Sequence, residues 1–442
     1  MQKDAYLRTG TLAAVSVLVA VLILSLIPTV VGSAAASDRG IQASASGVTP
    51  VGRAGTTAPI QAVIDSSLAG AVIHLHPGTF VGQLQINHSV RIVGAGEGKT
   101  ILQSPTNMTP DSLGNVFVVE VGNHATVELS HLTIRVTEQC MLANSIGVAT
   151  GGGVGVRDNS TLHVWDANVV AYGPYPDLDQ PCTTDGSPGM ISFGRAISIG
   201  LDDPPGVGTN LQVEGHGSVK HVETQGFDIF SISVGGVRGP SGSTATISDN
   251  LVRVGPGPYT AAYGIVVYGV TTVTNNLVIG EAGSDGGIAV VYTSATVLYN
   301  TIEDFTCTNA PFPIVPPCGV DPLYDDQDLG IFLAGLTPGT IVEHNAVEFV
   351  DAGILVEGPG APAVITHNSI TNSTYYGLDL IDANQTFHDD VVLGGLYAIA
   401  VGAASSNTTA VLSHDTLGGY SVAIGLLEAN YPWVAKLVVR PG

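Results

Sequence analysis

A short phrase recurs through the second half of the chain: an apolar residue, two residues, Asn or Asp, one residue, then another apolar residue. It begins at Ile247, Val273, Val297, Val342, Ile365, Phe387 and Leu412. Its polar position holds Asn250, Asn276, Asn300, Asn345, Asn368, Asp390 and Asp415. These residues lie 26, 24, 45, 23, 22 and 25 positions apart, and the one long interval contains an insertion. Degenerate copies occupy residues 129–134 and 164–169. A second apolar phrase follows each copy, as in Ile288-Ala289-Val290 and Ile354-Leu355-Val356.

This period is too short for a pair of packed helices, and the segments are β-branched with alternating polarity. Short strands joined by tight polar turns make one coil of a parallel β-solenoid. Strands of successive coils then stack about 4.8 Å apart. An Asn at one corner falls above the next, where it tolerates left-handed backbone and bonds along the stack.

Residues 60–102 read IQAVIDSSLAGAVIHLHPGTFVGQLQINHSVRIVGAGEGKTIL. This stretch resembles the opening of right-handed parallel β-helix proteins of the pectin-lyase-like superfamily, in particular NosD-type and pectinesterase-type starts. The resemblance implies an all-β fold: a single-stranded right-handed parallel β-helix over residues 59–442. Residues 60–68 would form a short helix capping the open end and hiding a sheet edge. Activity does not follow, because lyases, hydrolases, esterases and non-enzymes share this fold.

Ahead of the solenoid, Lys3 and Arg8 precede an uncharged apolar run over residues 11–31. Its length suits a transmembrane anchor, while the following Ala34-x-Ala36 suits signal cleavage. Residues 1–32 are therefore read as a signal anchor or signal peptide, and 33–58 as a flexible stalk. Both readings place the protein outside the cell, either held at the membrane by one N-terminal helix or secreted. Sequons begin at Asn87, Asn107, Asn159, Asn372, Asn384 and Asn407, which agrees with export. The four cysteines suit a disulfide framework. Cys140 and Cys182 fall in loops of neighbouring coils, and Cys307 and Cys318 within one insertion, so each pair is expected to bridge.

The formal net charge is −23, from 14 basic and 37 acidic side chains. With four lysines in the chain, neutralising nucleic-acid phosphates is excluded as a role. A polyanionic glycan would be repelled unless a cation such as Ca²⁺ bridges it. Neutral glycans are compatible.

Insertions at residues 172–188 and 303–328 follow the turn phrase and precede the second strand phrase, so both are expected on one edge, as a wall beside a groove. They carry Tyr172, Tyr175, Asp177, Asp179, Tyr324, Asp325, Asp326 and Asp328, a mixture suited to sugar or Ca²⁺. Asp202, Asp203 and Asp228 are the catalytic candidates. Asp202-Asp203 and Gly215-His216-Gly217 resemble polygalacturonase motifs, but they stand less than one coil apart. The outward column of the second strand phrase is expected to read Ser198, Asp228, Val266, Ala289, Phe332, Leu355, Asp379, Ala400 and Gly425. It is mostly apolar, as a covering loop or a homo-oligomer interface would require. The residue before each turn Asn or Asp includes His344 and His367 on neighbouring coils, near enough to share a metal ion. The composite expectation is a surface protein that binds extracellular or envelope polysaccharide without catalysis. The alternatives are a polysaccharide hydrolase or lyase, and a structural or adhesive protein.

Overall fold

Apolar residues on both sides of a polar pair demand a bend, and the computed structural model has one at each regular copy of the phrase. In one coil, strand Gly269–Thr274 runs into Asn275 and Asn276, strand Leu277–Gly280 follows, and strand Gly286–Val291 completes the turn of the solenoid. Val273, Val278, Ile288 and Val290 face the interior and are fully buried. The structure describes residues 49–51, 55–110, 115–137, 139–142, 151–173, 189–201, 214–227, 229–236, 241–255, 262–281, 284–306, 328–403, 405–429 and 434–440.

Each strand pairs in parallel with its counterpart in the next coil. The first face runs from Thr49–Val51 to Ala435–Arg440, and the second from Gly55–Thr56 to Thr416–Gly418. The third is a 12-stranded sheet from Leu84–Ile86 to Val422–Ala429. Strands Ser160–Ala171 and Gly215–Phe227 round the corner between the first two faces without a break. The chain is a parallel β-helix. Along the third face, Val154, Ile197, Ile232, Ile265, Ile288, Ile331, Ile354 and Leu378 form one inward column, every member fully buried.

Helix Ala58–Ser66 covers the start, as expected. Ile60 and Ile64 plug the core. Gln61 supplies what a missing strand would have supplied. Its Nε2 donates to the Gln85 carbonyl at 2.8 Å, and its Oε1 accepts from the Gln85 N–H at 2.9 Å. One side-chain amide thus satisfies both backbone groups at the open edge.

The corner asparagines make a continuous ladder. The Nδ2 of Asn250 donates to Oδ1 of Asn276 at 2.8 Å, Asn276 to Asn300 at 2.9 Å, and Asn300 to Asn345, Asn345 to Asn368 and Asn368 to Asp390 at 3.0 Å each. The backbone N–H of each residue donates to the same acceptor, for example Asn276 to Asn300 at 3.0 Å. Each Nδ2 also reaches a carbonyl of the coil before, such as Val273 from Asn300. The left-handed residue is the one before the ladder position. Tyr299, His344, His367 and Asp389 have φ of 55°, 57°, 56° and 57°. The ladder asparagine is therefore not the left-handed residue that the sequence suggested. It turns inward, and its neighbour absorbs the strain. In the upstream coils the ladder position holds Leu132, Ala167 and Val222, all buried. There the corner is apolar, which is why those copies look degenerate.

Asp390 takes a place built for an amide. Its Oδ1 accepts from the Asn368 N–H and Nδ2, while Oδ2 is buried without a hydrogen-bond partner among the described residues. Burial pushes its carboxyl up to about 6, against the pull of the Asn368 hydrogen bonds.

Thr49–Val51 and Gly55–Thr56 lie inside the segment read as a stalk, yet they pair with Ile73–Leu75 and Phe80–Val81. The solenoid therefore begins ahead of residue 59. The apolar run at 11–31 lies outside the described residues, among which no helix is long and apolar enough to cross a membrane. Cys182, Cys307 and Cys318 also lie outside. Cys140 stands in strand Gln139–Leu142, opposite Ile191 of an antiparallel strand Gly189–Ser192.

Two variants test the ladder. Asn300→Ala should cost about 2–4 kcal/mol, because it strands donors and acceptors on both neighbouring coils. Asp390→Asn should instead stabilise the protein at pH 8 by about 1–3 kcal/mol, because it restores an amide donor where a carboxylate has none. Denaturant unfolding of each variant beside the parent measures both.

Candidate functional site

The outer surface of the third face is where the strand pattern puts side chains that the core does not use. Its central column reads Glu120, Gly155, Ser198, Ser233, Val266, Ala289, Phe332, Leu355, Asp379, Ala400 and Gly425. The expected column holds except at one place. Strand Phe230–Val234 begins two residues beyond Asp228, so Ser233 takes the position assigned to Asp228. The preceding strand Gly215–Phe227 carries a register shift between Gln225 and Phe227, which delays the next strand.

Of the polygalacturonase-like motifs, Gly215-His216-Gly217 alone falls within the described residues. Gly215-His216-Gly217 begins a strand of the first face, paired with residues 160–162. The His216 imidazole bonds Thr244 Oγ1 at 2.8 Å. Asp202, Asp203 and Asp228 lie outside the described residues, as do Tyr175, Asp177, Asp179, Tyr324, Asp325 and Asp326. Tyr172 is exposed, with the Arg135 guanidinium 4.5 Å over its ring. Asp328 is buried, and its carbonyl accepts from the Asp351 and Ala352 N–H groups.

Near the start of the column, polar groups are spoken for. Glu120 forms an ion pair with Arg157 at 2.5 Å, and Arg157 also holds Asp158. Arg195, one column over, is buried, with its guanidinium 5.0 Å over the Phe230 ring and 3.4 Å from Ser198 Oγ. Ser198 and Ser233 bond each other at 2.9 Å.

The later coils are different. A second apolar cluster forms outside the solenoid wall, distinct from the core. Leu329, Ala352, Tyr376 and Ala400 are its buried members, and Phe332, Leu355, Tyr375 and Tyr397 are its partly exposed rim. The Tyr376 and Tyr397 rings stack at 5.5 Å, because their Cα positions are partners on adjacent coils.

Acids sit beside this cluster. Asp379 faces Leu355 across the strand pair, and Glu357 is two residues beyond Leu355 on the same outward side. Such diagonal neighbours have Cα atoms about 7–8 Å apart. Asp379 is buried, and its Oδ1 has no hydrogen-bond partner among the described residues. Burial pushes its carboxyl up to about 7, the Glu357 charge adds to the rise, and the Leu380 N–H opposes it. Burial also raises Glu357, with Asp382 adding to it. Burial and then Glu357 raise the Tyr292 phenol. The Tyr292 ring lies against Gly335, where an added Cβ would stand 2.5 Å from it. Asp382 is occupied otherwise, accepting from the N–H groups of Ser405 and Ser406.

The sequence singled out Asp379 but not Glu357 or Tyr292. Their proximity depends on which residues of adjacent coils pair. At the Asn corner, His344 and His367 do come together, with ring centroids 5.0 Å apart.

No protein-family model and no curated protein sequence matches this chain. Among solved structures, it is similar to the Agl-KA catalytic domain, with a TM-score of 0.47 and 12% identity over 87% of this chain, and it spans 64% of that chain. It is similar to an alginate lyase from Paenibacillus sp. str. FPU-7, with a TM-score of 0.35 and 14% identity over 84% of this chain and 98% of that one. A polygalacturonase from Erwinia carotovora ssp. carotovora gives a TM-score of 0.40 and 11% identity over 91% of this chain and 100% of that one.

Asp379 gives a pH prediction. Its folded value, about 7, lies above the ordinary 3.8, so the folded state holds this proton more tightly than the unfolded chain does. Its contribution is full below pH ~4 and is lost as pH rises through ~7. Asp379→Asn should therefore be more stable than the parent at pH 8, by up to about 4 kcal/mol, with the gap closing toward pH 4. Thermal unfolding of both proteins across that range checks the sign.

Proposed function

We propose that this chain is an exported protein that binds polysaccharide along the outer surface of its third face. The observation that supports this reading is the aromatic and apolar cluster outside the solenoid wall, rimmed by Phe332, Leu355, Tyr375 and Tyr397 and flanked by Glu357 and Asp379. Aromatic rings offer apolar faces to the C–H faces of sugars, and carboxyl groups bond hydroxyls. Stacked coils repeat such contacts along a line, which suits an extended chain. The net charge of −23 favours a neutral glycan. The apolar run at residues 11–31 would serve as anchor or signal.

One observation favours a second reading, a glycoside hydrolase. Glu357 and Asp379 stand on adjacent coils, diagonal to each other on one outward face, as two carboxyls sharing a substrate would be placed. A carboxyl raised to about 7 is a fitting general acid.

A glycan-array screen of the full chain separates the two, with reducing ends and unsaturated products assayed in the same wells. The binding reading expects a neutral glycan to be retained without products, and Tyr397→Ala to weaken retention at least ~10-fold, since losing a stacked ring costs about 1.4 kcal/mol or more. Products that disappear in Asp379→Asn would replace binding by hydrolysis. Retention of no glycan at all would contradict both readings.

A further inference from the structure

The left-handed corner residues form a column on the edge between the first and second faces. Each turn repeats the same backbone, so each side chain leaves the surface in the same direction, one coil above the last. His344 stacks on His367 with centroids 5.0 Å apart and planes at 14°. The residue before the corner adds a second column, in which Glu343, Thr366 and His388 are register partners.

Four imidazoles and two carboxylates meet on this strip. Glu343 Oε1 lies 3.4 Å from His344 Nδ1 and 4.0 Å from His367 Nδ1. His388 Nδ1 lies 2.5 Å from Asp389 Oδ2, and the His388 and His414 rings are 5.0 Å apart. His367 joins the two groups, since its Nε2 is 3.7 Å from Asp389 Oδ2. Thr366 Oγ1 also lies 2.8 Å from His367 Nδ1. Among the described residues, no Lys or Arg forms an ion pair with Glu343 or Asp389; the ion-pair partners of both are histidines.

We propose that this strip binds divalent transition-metal ions at two neighbouring sites, Glu343 with His344 and His367, and His388 with Asp389 and His414. Within each triad one ligand atom per residue lies within 4.8 Å of the others. Bonds of about 2.0–2.1 Å to zinc place neighbouring donors about 3.3 Å apart. The side chains are one-third to one-half exposed where the ion pairs form, so rotation of the side chains closes that difference without disturbing the core. Two imidazoles and a carboxylate leave coordination positions for water or an external ligand. Imidazole nitrogens select zinc, nickel or copper over Ca²⁺, which takes oxygen ligands. The sites lie on an edge that the glycan reading does not use, and they do not depend on it.

Isothermal titration of the chelator-treated full chain with zinc chloride tests this, with calcium chloride as the parallel arm. The expected result is two zinc ions per chain at micromolar affinity, with calcium at least 100-fold weaker. His344→Ala/His367→Ala and His388→Ala/His414→Ala should each lower the stoichiometry, and the fourfold variant should lose at least 100-fold in zinc affinity. Thermal unfolding without metal should match the parent in all three, since the rings lie outside the core. Zinc binding that survives the fourfold variant, calcium binding of equal strength, or no zinc binding by the parent would each overturn the proposal.

Discussion

The hydrogen bond from one corner asparagine to the next organises this molecule. It uses both ends of the amide: the oxygen accepts from the coil before, while the nitrogen donates to the coil after and to a carbonyl behind. A group with both donor and acceptor propagates such a chain, whereas a hydroxyl is shorter and a carboxylate only accepts. Burial strengthens each bond and penalises each gap. From Asn250 onward the ladder therefore sets the vertical register of the coils, and the outward columns of those coils inherit it.

That inheritance explains how a repetitive scaffold carries distinct surfaces. Fixing the corner amide forces its predecessor into left-handed geometry, which aims side chains outward along the edge. The same register lays Tyr376 against Tyr397 and sets Glu357 diagonal to Asp379 on the third face. Small residues make room for large ones there, as Gly335 does for Tyr292. Where the ladder ends in acids, at Asp390, the fold buries an oxygen that has no donor among the described residues.

The repeat phrase made the solenoid legible, because an apolar residue on each side of a buried amide has few other uses. The capping helix was legible through the resemblance of residues 60–102 to β-helix openings, which implied residues 60–68; it spans Ala58–Ser66. The outward column could be written in advance wherever a regular coil fixed its phase, as at Val266, Phe332 and Asp379. It failed at Asp228, where an upstream strand runs on with a bulge and shifts the phase by residues that no local pattern reveals. Glu357 escaped notice because a diagonal contact needs the pairing of two coils, and 357 lies beyond the three-residue strand phrase. The left-handed residue was misassigned by one, because Asn is the usual tenant of that geometry. Here burial claimed the Asn side chain, and His, Tyr or Asp took the strained position.

Native-state hydrogen exchange of the corner amides tests the ladder most directly. The N–H groups of Asn276, Asn300, Asn345 and Asn368 donate to buried side-chain oxygens of the next coil. They should exchange as slowly as the central strands of the third face, opening only with the whole solenoid. Exchange as fast as that of exposed N–H groups elsewhere on the surface would show that the corners open independently, and that the coils take their register from something other than the ladder.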